Sequence, residues 1–424
     1  MKVLLVEPYG TRTGHFGLYA ANIGQELAQL GHQVVVLIGT RLLVQQFLKT
    51  KPLFRLIEVG LQDGVLSSEE SRVSRRFKKI MHGPSVIRIS VAAVCRAVQE
   101  CEDNRFDIVH LLALEPVSTA LILLWNRSIL GRNLPPLVVQ VFPPDFTLRA
   151  GGQNLFRGFY KLASAFALKT IIQRYCRAVS VQGEWHRTLL MKQLACAEPD
   201  SPPFVVVRPG TVLPENKPSM EEARQALQLD CDATVFLFFG MLRKDKGIEL
   251  LFRAVAGLEG KWQLVIAGPS HDWTEPALLE QISRLGIVDK VLLNVRYIPE
   301  AEVQTHFAAA DALVLPYSGN NYRGNYGPMF LGCGHAKPLI VSDVGEMGCL
   351  VRRWNLGYAV VPDDVAALRR GLQRFIQLPP EVRGKMSANS QKLGEECSFA
   401  NMAKLLSSTY SPCSPQLLPE HVRT

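Results

Sequence analysis

The stretch Phe236-Leu-Phe-Phe-Gly-Met-Leu-Arg-Lys-Asp-Lys-Gly-Ile-Glu-Leu-Leu251 constrains the fold more than any other part of this chain. An apolar run stops at Gly240, cations follow at Arg243 and Lys246, Gly247 turns the chain, and apolar residues return at helical spacing from Ile248. The pattern reads strand, basic loop, helix. The loop lies at the carboxyl end of a buried strand, where open α/β sheets bind their ligands. The helix that follows presents an N-terminus that also favours an anion. A diphosphate is the simplest ligand for such a loop; a solvated loop that happens to be basic is the plain alternative.

The same grammar recurs along the 424 residues. Strands are predicted at 2–6 and 34–38 around a helix at 18–30, with a Gly- and Thr-containing loop at 10–17. Further strands are expected at 106–110, 137–142, 178–181 and 204–208. The first two do not alternate apolar with polar residues, which points to burial on two faces in a parallel sheet. Residues 209–218, with three prolines, a Gly and an Asn, make the best linker. The βα series then restarts, with strands at 235–239, 263–267, 291–294, 312–315 and 339–341. The expected fold class is α/β, with two Rossmann-like doubly wound domains facing across a cleft. Its boundaries are 1–210, a linker at 211–218, 219–395, and a C-terminal helix and tail at 396–424 free to pack back on the first domain.

Charge narrows the partners. The 47 Lys and Arg against 38 Asp and Glu leave a net charge of +9. Much of the excess is clustered. Residues 146–183 hold Arg149, Arg157, Lys161, Lys169, Arg174 and Arg177 and no acid, and a second cluster is Arg72, Arg75, Arg76, Lys78 and Lys79. Such patches attract phosphates, anionic lipid or nucleic acid. In the first, Leu155, Phe156, Phe159, Tyr160, Leu162, Ala163 and Phe166 recur at helical spacing. That suits an anionic membrane surface, or a helix packing its aromatic face on the sheet. No nucleic-acid motif occurs. Nine Cys are scattered without Cys-x-x-Cys or zinc spacing, which fits reduced thiols and an intracellular protein. The opening Met1-Lys-Val-Leu-Leu-Val-Glu-Pro8 does not read as a signal peptide, and no stretch reaches the roughly 20 apolar residues of a spanning helix. The expected location is cytoplasmic, with the basic segment as the means of peripheral attachment to the inner face of the membrane.

The C-terminal series resembles the retaining glycosyltransferases of family 4, which have the GT-B fold of two Rossmann-like domains. The segment from Gly240 to Gly247 with Leu250-Leu251 is similar to the family's Gly-x-x-Arg-x-x-Lys-Gly element. Leu264-Val-Ile-Ala-Gly268, Tyr297-Ile-Pro-Glu-Ala-Glu-Val303 and Ala310-Asp311-Ala-Leu-Val-Leu-Pro-Tyr317 follow in family order. Lys337-Pro-Leu-Ile-Val-Ser-Asp-Val-Gly345 and Gly357-Tyr-Ala-Val-Val-Pro-Asp363 complete it. The N-terminal match is looser and rests on Gly14-His-Phe-Gly17, Gly31-His32-Gln-Val-Val-Val36, Asp107-Ile-Val-His110 and Val179-Ser-Val-Gln-Gly-Glu184.

The resemblance implies a nucleotide-sugar donor in the C-terminal domain and an acceptor, a glycan or lipid-linked glycan, in the N-terminal one. Negative charge builds on the β-phosphate as the sugar leaves. Arg243 and Lys246 can neutralise it without a metal, so no cofactor beyond the nucleoside-diphosphate sugar is expected. Gly240 and Tyr297 join the donor side, with the amides of Gly327, Pro328, Met329 and Phe330 at a helix start where proline fits the first turn. Gly14 and Gly17 let the first loop approach the sugar phosphate, or form a tight turn. His110 is implied near the reacting centre, or is a histidine satisfied by neighbouring backbone. Asp145 binds acceptor hydroxyls or acts as a base, or stabilises a turn. One departure matters. Counting back from Lys337-Pro338, the family's two Glu positions fall on Leu331 and Arg323, so the ribose must be recognised otherwise, with Gly324-Asn-Tyr-Gly327 as a substitute helix entrance. Two rivals follow: a non-catalytic GT-B binding subunit and a GT-B nucleotide-sugar epimerase.

Overall fold

The computed structural model describes residues 1–9, 16–39, 52–59, 72–128, 130–131, 134–142, 155–196, 201–214, 217–319 and 326–411, with backbone alone at 16, 72–86 and 155–157. The chain forms two compact units, Met1–Arg208 with the chain from Phe399 onward, and Pro209–Ser398.

The first unit is built on seven parallel strands: β1 Lys2–Glu7, β2 Gln33–Ile38, β3 Arg55–Glu58, β4 Ile108–Leu111, β5 Leu137–Val141, β6 Cys176–Val181 and β7 Phe204–Val206, in the order β3-β2-β1-β4-β5-β6-β7. Its helices are α1 Phe16–Gln29, α2 Arg72–Asp103, α3 Pro116–Ser128, α4 Leu155–Tyr175 and α5 Glu184–Leu194. The Val- and Leu-rich β1, β4 and β5 are buried almost end to end, because helices cover both faces. One face packs on residues of α2 to α5. The other packs on α1 and on the last helix of the chain.

The second unit has six parallel strands: β8 Thr234–Phe239, β9 Trp262–Ala267, β10 Val291–Asn294, β11 Ala312–Leu315, β12 Leu339–Ser342 and β13 Gly357–Val360, in the order β10-β9-β8-β11-β12-β13. Its helices are α6 Met220–Ala226, α7 Ile248–Val255, α8 Glu275–Arg284, α9 Glu300–Ala309, α10 Gly327–Gly334, α11 Gly345–Trp354, α12 Val365–Ile376 and α13 Pro380–Glu396. Helix α14, Phe399–Tyr410, then returns to the first unit, where Met402, Ala403, Leu406 and Tyr410 join the core beneath α1.

Three features lay outside the sequence reading. β3 is a four-residue edge strand with Arg55 and Glu58 exposed, too short to show a period. The basic cluster from Arg72 lies within the long helix α2. In the proline-rich segment, Thr211 is buried, pairs with Ser398, and donates its N–H to Cys397 O at 2.8 Å, which ties the segment to the end of α13.

Candidate functional site

In the second unit β8 sits between β9 and β11. Connections leave β8 and β11 in opposite directions, and a crevice opens at the carboxyl edge between the two following loops. Those loops touch. Gly247 has φ +70°, and a Cβ there would fall 1.9 Å from the Pro316 carbonyl oxygen, so only glycine lets the backbones approach. The Ser318 N–H donates to the Asp245 carbonyl at 3.0 Å and stitches the same pair. On the other side of β8, a Cβ on Gly268 would lie 2.0 Å from the Gly240 carbonyl oxygen.

This packing puts Lys246 where a surface lysine would not be. Its residue is only 8 % exposed, and its Nζ lies 3.7 Å from the centre of the buried Tyr317 ring. Burial, with the Arg243 charge beside it, pulls its pKa down to about 7, and Asp245 opposes that. The ring face favours the cation, so the ammonium is held between two opposed tendencies. Arg243 forms a two-point pair with Asp245, its Nε donating to Oδ1 at 2.9 Å. The Lys244 N–H donates to Asp272 Oδ2 at 2.9 Å and fixes the loop from outside.

Helix α10 begins next to Gly240: a Cβ on Gly240 would meet the Pro328 ring at 3.2 Å. The Met329 and Phe330 N–H groups both donate to Tyr326 O, at 2.8 and 3.4 Å, and proline has none. Of the four amides expected to face the phosphates, Gly327 alone has an N–H not committed to Tyr326. The Met329 and Phe330 side chains are buried in the core. The cationic loop, the Gly240 turn and the Gly327 N–H thus gather at one point on the carboxyl edge, and an anion there meets a positive loop and a helix start together.

The corresponding edge of the first unit is polar but sealed. Pairing of Leu5 with His110, His110 with Val138, and Gln140 with Ser180 places Glu7, His110, Gln140, Ser180 and Gln182 on one face of the sheet. All five are buried. Tyr19 of α1 donates to Gln140 Oε1 at 3.1 Å, and His110 Nδ1 lies 2.8 Å from the Tyr410 hydroxyl of α14. Glu7 Oε2, His110 Nε2, Gln140 Nε2 and Ser180 Oγ have no hydrogen-bond partner among the described residues. Burial raises the Glu7 carboxyl to about 8, against the Tyr9 N–H it accepts, and lowers His110 to about 3, so both are neutral at pH 7. At the start of α3, Glu115 accepts the N–H groups of Val117 and Ser118 and the Tyr160 hydroxyl. Desolvation works against its ionised form, but those hydrogen bonds prevail and hold its pKa below the usual value.

Residues 219–393 match the family model of glycosyl transferases group 1. That group 1 stretch spans nearly all of the second unit, including the loops that hold Lys246 and Tyr317. The chain is 30 % identical over 225 residues to the D-inositol 3-phosphate glycosyltransferase of Streptomyces scabiei, covering 49 % of each chain. It is also 30 % identical over 220 residues to the protein of that name from Acidothermus cellulolyticus, covering 49 % of this chain and 47 % of that one. The chain spans about half the length of the curated relatives it matches. Among solved structures, sucrose-phosphate synthase from Thermosynechococcus elongatus superposes with a TM-score of 0.71 at 16 % identity, covering 96 % of this chain and 98 % of that one. The HepE protein of Anabaena, solved in complex with UDP, gives 0.68 at 15 %, covering 96 % and 99 %. The fold is GT-B, two parallel-sheet α/β domains.

Within the second unit the structure gathers Gly240, Arg243, Lys246, Gly327 and Pro328. Tyr297 stands elsewhere on the same edge, exposed in the connection after the outer strand β10. Leu331, where a Glu was expected, lies in α10, and Arg323 falls outside the described residues. Asp343 directly follows β12 and pairs with Arg352, and Glu346, three residues on, is buried in the first turn of α11. In the first unit Gly17 is buried in the first turn of α1. His110 is not brought to a surface: both α1 and α14 cover its face of the sheet, and it bonds to Tyr410. Gly14 and Asp145 lie outside the described residues. Sequence reasoning missed Tyr317 and Asp245 as partners of the two cations. Asp245 carried a signal, since it lies inside the same loop motif; Tyr317 lies far along the chain from Lys246 and meets it only in the fold.

Proposed function

We propose that this chain is a glycosyltransferase that moves a sugar from a nucleoside diphosphate to an acceptor hydroxyl, without a metal and with retention at the anomeric carbon. The observation that carries it is Lys246, a buried cation on the Tyr317 ring beside Gly240 and the start of α10. An evolved chain keeps a desolvated charge where a ligand repays it, and a diphosphate is the ligand of matching charge. Lys246 meets the developing charge on the leaving β-phosphate, and Arg243 exchanges its pairing with Asp245 for the same oxygens. HepE, solved with UDP and with UDP-glucose, supports a nucleotide-sugar donor. The acceptor is a glycan or lipid-linked glycan reached from the cytoplasmic side. The relatives' names add a phosphorylated cyclitol to the acceptors worth testing.

The test is a thermal-shift panel of nucleoside diphosphates and their sugars, followed by transfer assays with the donor that binds. Binding lost in Lys246→Met, with transfer that preserves the anomeric configuration by NMR, is the expected result. The position of Leu331 favours one second reading, a binding subunit that has lost catalysis. Donor binding with no release of free nucleoside diphosphate, with or without acceptors, selects it.

A further inference from the structure

Helices α3 and α4 lie side by side and run the same way. Tyr160 of α4 donates to Glu115 just before α3 at 2.6 Å, and Arg127 near the end of α3 donates to the Arg174 carbonyl near the end of α4 at 3.3 Å. Helix α4 has two apolar faces. Ala167, Leu168, Ile171 and Ile172 are in the core. Phe159, Leu162 and Phe166, at i, i+3 and i+7, are 72 %, 53 % and 75 % exposed. Helix α3 adds Leu121 and Trp125, at i and i+4, 63 % and 58 % exposed. Leu121 is six residues beyond Glu115 and Phe166 six beyond Tyr160, so the two stand level on neighbouring helices. Soluble surfaces rarely leave five large apolar side chains together in water. The aromatic spacing in the sequence fits a helix packed on its sheet equally well; the structure gives that task to the other face.

The charge around this strip says what covers it. Between Glu115 and Glu184 the sequence holds one acid, Asp145, and eight Lys or Arg. On α4, Arg174 is exposed and Lys161 and Lys169 are half-buried. A second copy meeting this face would oppose cation to cation. No helix among the described residues is long and apolar enough to cross a membrane. We propose that the α3–α4 face docks the first unit on an anionic lipid surface. Phe159, Leu162, Phe166, Leu121 and Trp125 enter the boundary between headgroups and acyl chains, and Lys161, Lys169 and Arg174 meet the headgroups. Aromatic side chains suit that boundary, and flanking cations hold the helices flat upon it. The inference does not depend on sugar transfer, because binding alone is read.

The experiment is co-sedimentation of the full chain with phosphatidylcholine vesicles, with and without phosphatidylglycerol, over a salt series. Binding to the anionic vesicles alone, weakening with salt, is expected. Phe159→Ser with Phe166→Ser should lower the partition coefficient at least about tenfold. Lys161→Glu with Arg174→Glu should lower it by about as much and flatten the salt dependence. The phenylalanine double variant should keep the wild-type melting temperature, since both side chains are exposed. Vesicles should shift tryptophan emission to the blue, and Trp125→Phe should remove most of that shift. No binding at low salt, or equal binding to neutral vesicles, overturns the proposal. So does a dimer by light scattering that Phe166→Ser splits while vesicles are ignored; the face is then an interface between copies.

Discussion

Replacing Lys246 by Met separates what the lysine does for a ligand from what it does for the fold. The two side chains are similar in length, so the packing on Tyr317 is largely kept. Burial holds the lysine near pH 7 instead of 10.5. At ~1.36 kcal/mol per pH unit, that gap corresponds to about 5 kcal/mol of instability borne by the charged form. The ring face returns about 1–2 kcal/mol, leaving a net gain of about 3 kcal/mol for the variant at pH 7 and below. The sign follows from proton counts. The unfolded chain keeps the proton up to 10.5 and the folded chain releases it near 7, so between those values the unfolded state binds more protons and wild-type stability rises with pH. The variant's advantage should be full below pH 7 and vanish towards 10.5. Urea denaturation of both proteins across that range measures it, because the difference cancels every other titrating group. Nucleoside diphosphate affinity and turnover should fall together, by about 2–4 kcal/mol. A variant less stable than wild type at pH 7, with a difference flat in pH, would falsify the view that the charge is kept there for a ligand.

Three further outcomes are expected. Transfer activity should survive EDTA if, as proposed, Arg243 and Lys246 meet the diphosphate; loss with chelator, restored by magnesium or manganese, shows that a metal does this instead. Gly247→Ala should destabilise the fold by at least about 2 kcal/mol in a denaturant titration, because its Cβ would sit 1.9 Å from the Pro316 oxygen at a positive φ; a near-neutral result means that the two loops are free to part. Tyr410→Phe leaves His110 Nδ1 without its partner in the core and should lower stability by about 1–3 kcal/mol with kcat unchanged, whereas a changed pH–rate profile would restore His110 to the reacting centre.

The parallel sheets were legible because their strands are buried on both faces and read as unbroken apolar runs, as in Val34–Ile38 and Phe236–Phe239. β3 was not, since four residues at a sheet edge carry no period. Gly240, Arg243, Lys246 and Gly247 were legible as a strand-end loop, because the chemistry and the turn residue fall within eight positions. What the loop does with its cations was not. Seating Lys246 on Tyr317 depends on a contact between the loops after β8 and β11, which are far apart in sequence, and pairing Arg243 with Asp245 two residues on depends on how the first loop turns. His110 shows the converse. Its place at a strand end suggested an open site, but strand ends are open only where no helix lies over them, and α14 arrives there from 300 residues downstream in the sequence.

That helix explains why the two units treat their polar residues so differently. Both sheets reverse their strand order at the centre, so both have a natural ligand edge. In the second unit the edge is left cationic, its charges held by an aromatic ring and an aspartate, both partners that an anion can outbid. In the first unit Glu7, His110 and Gln140 are lidded by Tyr19 and Tyr410 and neutralised by burial. A neutral, covered layer recognises no charged group, but it fixes the C-terminal helix to the unit, since Tyr410 can bond only where His110 waits. Arg177 adds a second tie by donating to the Tyr410 carbonyl at 2.6 Å. The polar layer is therefore better placed to anchor α14 than to bind a ligand.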